Sequence, residues 1–162
     1  MVTIWLVMLM TLFLTFLSEQ TKNKRENNRK YLIDPFYTFA IVILVVYSGL
    51  RSSIGDTGYY MYSYEHLPNN FLDIFTQRDW GFTLYQSTIK LGFPHPQALL
   101  VITALLTISL IFLTIKKYSP SIMFSVFLFF VGGSYVSSMN GIRQYLVGAV
   151  LFYASSLIFE GK

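Results

Sequence analysis

The chain lacks cysteine altogether, which excludes structural disulfides and thiolate chemistry. Histidine occurs only as His66 and His95, with no partner at a familiar metal-ligand spacing, so no metal site is expected. Charge is scarce as well. Asp, Glu, Lys and Arg together make up 12% of the 162 residues, against 54% hydrophobic, whereas a soluble domain is about one-quarter charged. There is no Walker motif, GxGxxG, nucleophile elbow or HExxH. Nucleotide-fuelled and hydrolytic chemistry of the usual sorts therefore has no support, and no cofactor is expected.

What is present is apolar sequence in blocks. Runs near 2–17, 36–50, 98–115, 121–136 and 142–159 carry no charge in their middles. The first is short against the roughly 20 residues that cross a bilayer. It has neither the preceding basic residues nor the small-residue cleavage site of a signal peptide, so it reads as an uncleaved span with its N-terminus outside. Lys22, Lys24, Arg25, Arg29 and Lys30 gather in the 18–34 connection, and Lys116 and Lys117 follow the third run. The formal charge of +4 is thus placed as the positive-inside rule places it, with loop 18–34 and the C-terminus cytoplasmic. That distribution fits a membrane protein better than a nucleic-acid binder. A lipid-binding patch is the rival reading of the loop. The expected fold is all-α: one polytopic membrane domain over 1–162, with five transmembrane helices.

The longest polar stretch, 51–97, then lies outside and carries Asp56, Glu65, Asp73 and Asp79. A connection this long has its own short elements or performs a function. Asp56 is placed to cap a helix beginning at Thr57. Phe82, Tyr85 and Ile89 recur at spacings of three and four, an amphipathic face suited to lying along the membrane surface. Residues 137–141 read as a short polar outer turn. Gly141, Gly148 and Ser155 stand seven apart on the last run, a small-residue stripe suited to close helix packing.

Candidate chemistry collects at the outer ends of the spans. Arg51 and Arg143 either snorkel to the interface or hold a phosphate or pyrophosphate with their planar forks. Asp56 is a helix cap, a partner of Arg51, or a functional acid. Glu65, with His66, and Asp79 complete the acid–base candidates. Tyr59, Tyr60, Tyr62 and Tyr64 form an interfacial belt or platforms on which sugar rings stack.

Three motifs in order carry a family resemblance: Gly49-Leu50-Arg51 with Ile54-Gly55-Asp56, Tyr60 and Tyr64; Asp79-Trp80-Gly81-Phe82; and Asn140-Gly141-Ile142-Arg143-Gln144. Together they resemble the EpsG family, Wzy-like polymerases of extracellular and capsular polysaccharide. The resemblance implies a glycosyltransferase-type enzyme that joins polyprenyl-pyrophosphate-linked oligosaccharide repeat units at the outer face of the cell membrane. On that reading Arg51, Arg143, Gln144, Tyr60 and Tyr64 bind substrate, and Asp56, Asp79 or Glu65 supplies the base. Members of the family are longer, and the likeness covers their N-terminal half. That implies a C-terminal partner fragment or other polysaccharide-assembly membrane proteins. The alternative is a non-catalytic membrane scaffold or an inactive fragment of such a polymerase. A transporter would place ionisable residues near the bilayer midplane, and none lies mid-span.

Overall fold

The computed structural model describes residues 2–25, 34–68 and 71–159. Expectations resting on Arg29, Lys30 and Lys162, and on the side chains of Lys22, Lys24 and Arg25, fall outside the described residues. Among the described residues the chain is helical and contains no strand. Its elements are α1 (Val2–Arg25), α2 (Pro35–Gly49), α3 (Thr57–Glu65), α4 (Phe71–Phe75), α5 (Trp80–Gly92), α6 (Gln97–Tyr118), α7 (Ile122–Val131), α8 (Ser134–Asn140) and α9 (Ile142–Phe159).

Local chemistry fixes the starts of two of these helices. Asp34 accepts from the backbone N–H groups of Phe36 at 3.1 Å and Tyr37 at 3.4 Å, with Pro35 in the first turn. Ser121 accepts from Phe124 N–H at 3.3 Å at the head of α7. The Asp34 carboxylate also receives the Ser18 hydroxyl, tying α1 to α2.

Large apolar residues cover the outside of the bundle as well as its core. On α1 the inward face is Met8, Thr11, Thr15 and Ser18, while Trp5, Leu6, Leu9, Phe13 and Phe16 point outward. On α6, Thr103, Ala104, Thr107 and Thr114 are buried beside Leu99, Leu100, Ile108 and Phe112, while Leu105, Leu106 and Leu113 are exposed. Small and hydroxyl-bearing residues between helices with large apolar ones outside are what lipid as a solvent selects. Several of the buried hydroxyls are satisfied within their own helices: Thr11 donates to Val7 O at 2.7 Å and Thr114 to Leu110 O at 2.9 Å. This is a helical membrane protein.

The helices pack in the order α7, α1, α2, α6, α9, with Leu44, Ile108, Phe112, Val126, Tyr135 and Met139 in the main core. Side-chain bonds sort the ends. Thr3 meets the Tyr47 hydroxyl at 2.9 Å, and Gln97 donates to Gly49 O at 2.5 Å. At the opposite end Glu19 accepts from Met123 N–H at 3.0 Å, and the Tyr118 hydroxyl donates to Ser156 O at 2.6 Å. Arg51, Gln97 and Asn140 therefore share one end of the bundle, and Lys116 and Lys117 sit at the other.

Among the described residues, fewer helices meet the length and hydropathy requirements of a span than the five expected. Val2–Thr21 and Gln97–Tyr118 do, and a bent pair adds a third. The first run is longer than the sequence suggested because its helix continues through the polar residues beyond Leu17. The fourth run is broken: Ile122–Val131 and Ser134–Asn140 meet at 55°, where Gly133 takes φ 72, a left-handed conformation that suits glycine. Ser137–Asn140, read as part of an outer turn, instead ends α8. Pro35–Gly49 and Ile142–Ile158 are apolar but shorter. The 15 residues of α2 rise about 22 Å, against roughly 30 Å of hydrocarbon.

Two expected faces are corrected. Phe82, Tyr85 and Ile89 turn onto the bundle against Tyr60, Tyr64, Leu99 and Leu100, since Tyr85 bonds the Thr103 hydroxyl at 3.1 Å. The buried stripe of α9 is Ile142, Ala149 and Ser156, one residue on from the predicted glycines. Gly148 is exposed, with open space where a Cβ would stand. The close approach of two helices occurs instead at Gly49, where a Cβ would lie 2.9 Å from Val101 Cα. Gly148→Leu is accordingly expected to change thermal stability in detergent by no more than about 0.5 kcal/mol. A loss of several times that would restore the glycine stripe as a packing face.

Candidate functional site

Arg51 follows directly on the last turn of α2 and folds back under the surface, 5% exposed. Its Nη1 donates to Ser48 O at 2.5 Å and lies 3.3 Å from Ser48 Oγ. Nη2 donates to Met139 O at 2.9 Å, and Nε to Thr57 Oγ1 at 3.0 Å. Ser48 and Met139 belong to the last turns of α2 and α8, where carbonyls lack intrahelical partners and the helix dipole is negative. One guanidinium therefore joins two helix C-termini and the first residue of α3. Burial pushes its pKa down, with the Tyr135 and Tyr60 hydroxyls acting the other way. Most of its donors are committed to protein acceptors. Arg51 thus ties the ends of α2 and α8 to the start of α3.

The turn after Arg51 brings a second motif alongside. Gly55 has φ 58 and sits so close to Asn140 that a Cβ would overlap the Asn140 carboxamide. Asp56 stands at the N-cap position of α3, but its side chain makes no capping bond. The carboxylate is exposed and forms no hydrogen bond or ion pair among the described residues. Tyr60, one turn on, is buried, with its ring edge-on to Tyr59 at 5.6 Å and Phe82 at 5.9 Å. Burial pushes the Tyr60 hydroxyl up; Arg143 pulls it down, Asp56 and Tyr59 raise it further, and Arg51 pulls it down. It is therefore a protonated donor at neutral pH, within the field of both arginines and Asp56.

The third motif completes the arrangement. Asp79 opens α5, its backbone carbonyl accepting from Phe82 and Thr83 N–H, each at 3.0 Å. Its carboxylate leaves that helix end uncapped and pairs with Arg143. The two side chains are 54% and 40% exposed, so the pair is held by about 1 kcal/mol or less. Around it lies a cleft of about 360 Å³ lined by Arg78, Trp80, Phe82, Tyr85, Leu146 and Val147 together with the ion pair.

Other predicted residues sit apart from this cleft. Tyr64 is buried, its hydroxyl donating to Phe93 O at 2.6 Å. Lys90 Nζ caps the end of α3 by donating to the carbonyls of Tyr64 at 3.0 Å and Glu65 at 2.9 Å. Glu65 is exposed at that far end, and its side chain does not line the cleft. Gln144 is exposed, with its carboxamide oxygen against Gly141. Sequence reasoning missed Arg78, whose only signal was its place beside Asp79. It also missed Thr57 and Gln97, which hold the ends of α3 and α2.

Three segments separated by tens of residues thus meet at one end of the bundle through Arg51–Met139, Gly55–Asn140 and Asp79–Arg143. Fold and site together define a helical membrane protein with a largely apolar cleft, carrying Arg78, Arg143 and Asp79, at the rim of its bundle. The EpsG family model matches residues 35–162, and the chain belongs to the EpsG family. No curated protein and no solved structure matches it significantly.

Proposed function

We propose that this chain takes part in polymerising polyprenyl-pyrophosphate-linked oligosaccharide repeat units into extracellular or capsular polysaccharide, with the Arg143–Asp79 cleft on the outer face of the membrane. The observation that carries the reading is the convergence of three family-like motifs at one end of the bundle, two of them lining the cleft, within a chain of the EpsG family. The segregation of Lys116 and Lys117 to the opposite end supports the orientation.

In the proposed reaction an acceptor sugar hydroxyl attacks the anomeric carbon of the donor repeat. The bond from that carbon to the pyrophosphate oxygen breaks, and its electron pair leaves with the polyprenyl pyrophosphate. Arg143 offsets the charge that develops on the leaving group. The hydroxyl proton passes to a carboxylate. Among the described residues the Asp56 carboxylate makes no hydrogen bond or ion pair, Asp79 is held by Arg143, and both stand at this end of the bundle. Tyr60 supplies a protonated hydroxyl to orient a sugar or phosphate oxygen.

Arg143→Ala and Asp56→Asn, expressed in cells whose polymer depends on this chain, should each reduce polymer of high chain length at least tenfold, with the protein's membrane level unchanged. Polymer length is read on gels, and membrane level by immunoblot. Wild-type chain-length distributions from both variants would overturn the catalytic reading in favour of a scaffold role. Accessibility labelling that placed Asp56 on the cytoplasmic side would overturn the orientation.

A further inference from the structure

The cleft holds one cation more than its single carboxylate requires. Arg143 is paired with Asp79, whereas Arg78 lines the same cleft, is exposed, and has no hydrogen bond or ion pair among the described residues. Below the arginines the lining turns apolar, with Phe82, Leu146 and Val147. From Arg143 the positions 146, 147, 150, 151, 154 and 158 follow at steps of three and four along one face of α9. Val147, Val150, Leu151 and Ile158 on that face are all exposed. A cationic mouth above an apolar track matches one chemistry: an anionic phosphate or pyrophosphate head on a long hydrocarbon tail.

We infer that Arg78 is the recruiting residue for a lipid-linked pyrophosphate, and that the Asp79–Arg143 pair is a latch which this ligand opens. This rests on the proposed polymerase reading and adds to it a residue and a mode of control. The anion first meets Arg78, which has no partner to give up. Arg143 then exchanges the Asp79 carboxylate for a phosphate oxygen. The exchange is cheap because an exposed ion pair is weak, and Arg143 regains a charge-assisted bond of comparable or greater strength. Asp79 is thereby released as a free carboxylate only when the donor is seated. Asp79, one of the two candidate bases, is thus masked while the cleft is empty, and α9 carries the tail along its lipid-facing side toward the opposite end of the bundle.

Trp80 lines the cleft and provides the measurement. The chain has two tryptophans, so Trp5→Phe leaves Trp80 as the sole reporter. The full chain carrying that change is placed in phosphatidylcholine nanodiscs and titrated with farnesyl pyrophosphate, with farnesol and phosphatidylglycerol as comparators. A saturable change in Trp80 emission is expected with farnesyl pyrophosphate, and a far weaker one with either comparator. Arg78→Gln should weaken binding about tenfold, and Arg78→Lys should recover part of it. Asp79→Asn should strengthen binding about threefold by freeing Arg143, although it removes a candidate base. A residue that merely supports the fold would weaken binding when changed, so the sign for Asp79→Asn separates a latch from a strut.

Unchanged affinity in Arg78→Gln, or weaker binding in Asp79→Asn with helical content and size-exclusion profile intact, would overturn the inference. Equal binding of phosphatidylglycerol would overturn it too, leaving a general anionic-lipid site. If these results came with a polymerisation defect in Arg143→Ala, the polymerase reading would stand while the latch fell. If binding behaved as expected and polymer length never responded, the polymerase reading would fall instead.

Discussion

Gly55→Ala is expected to abolish function and to lower the amount of folded protein in the membrane. Two costs coincide at this position. The backbone lies at φ 58, where a non-glycine residue is strained by about 1–2 kcal/mol. The new methyl group would also occupy the place of the Asn140 carboxamide, so Asn140 or the 51–56 turn must move. Overpacking of this kind costs a further 1–3 kcal/mol, roughly, and the total is a large fraction of a small domain's stability. The displaced turn carries Asp56, and it leads into Thr57, which receives Arg51. Loss of activity should therefore accompany loss of stability. The double variant Gly55→Ala with Asn140→Ala removes the overlap but leaves the backbone strain. It should recover about half of the lost thermal stability in detergent. No recovery would mean that the overlap contributes nothing and that the φ strain alone governs this turn.

That turn also shows how far the sequence could be read. The start of α3 at Thr57 was legible because Asp56-Thr57 follows a Gly-containing turn. The absent capping bond was not, since nothing in the sequence reveals that the Asp56 carboxylate faces away from its own helix. Burial on α1 and α6 was legible as apolar blocks, but the inward face was not. In lipid large apolar residues lie on both faces, and Thr11, Thr15 and Thr103 face inward, so a hydropathy pattern alone cannot orient such a helix. The small-residue stripe of α9 was placed one residue off for the same reason. The three motifs were identified by residue type and order, whereas their meeting depends on the α7–α8 bend. That bend at Gly132-Gly133 swings Met139 and Asn140 onto the end of α2. It is a tertiary feature that a sequence read as one continuous span does not suggest.

Arg51→Met is expected to be the most destabilising single change at this end of the bundle. It would leave Ser48 O, Met139 O and Thr57 Oγ1 without their donor. Each buried acceptor so stranded costs about 1–3 kcal/mol. Ser48 O and Met139 O lie in the last turns of two helices, and the guanidinium is the cation that answers both negative dipole ends. Removing it should leave those ends facing one another without compensation. Arg51→Lys keeps the charge but replaces a planar fork by one ammonium on a flexible stem, which cannot reach three separated acceptors at once. It should recover less than half of the stability lost in Arg51→Met, whereas Arg143→Lys, at the exposed pair, should cost within about 1 kcal/mol. Thermal unfolding of the purified chain in detergent measures all three. Equal stability of Arg51→Lys and the wild type would show that charge at position 51 suffices and that the forked hydrogen bonding holds nothing together. With Arg51→Lys as unstable as expected, a loss of polymer growth in that variant is to be read together with its loss of stability, because the displaced turn also carries Asp56.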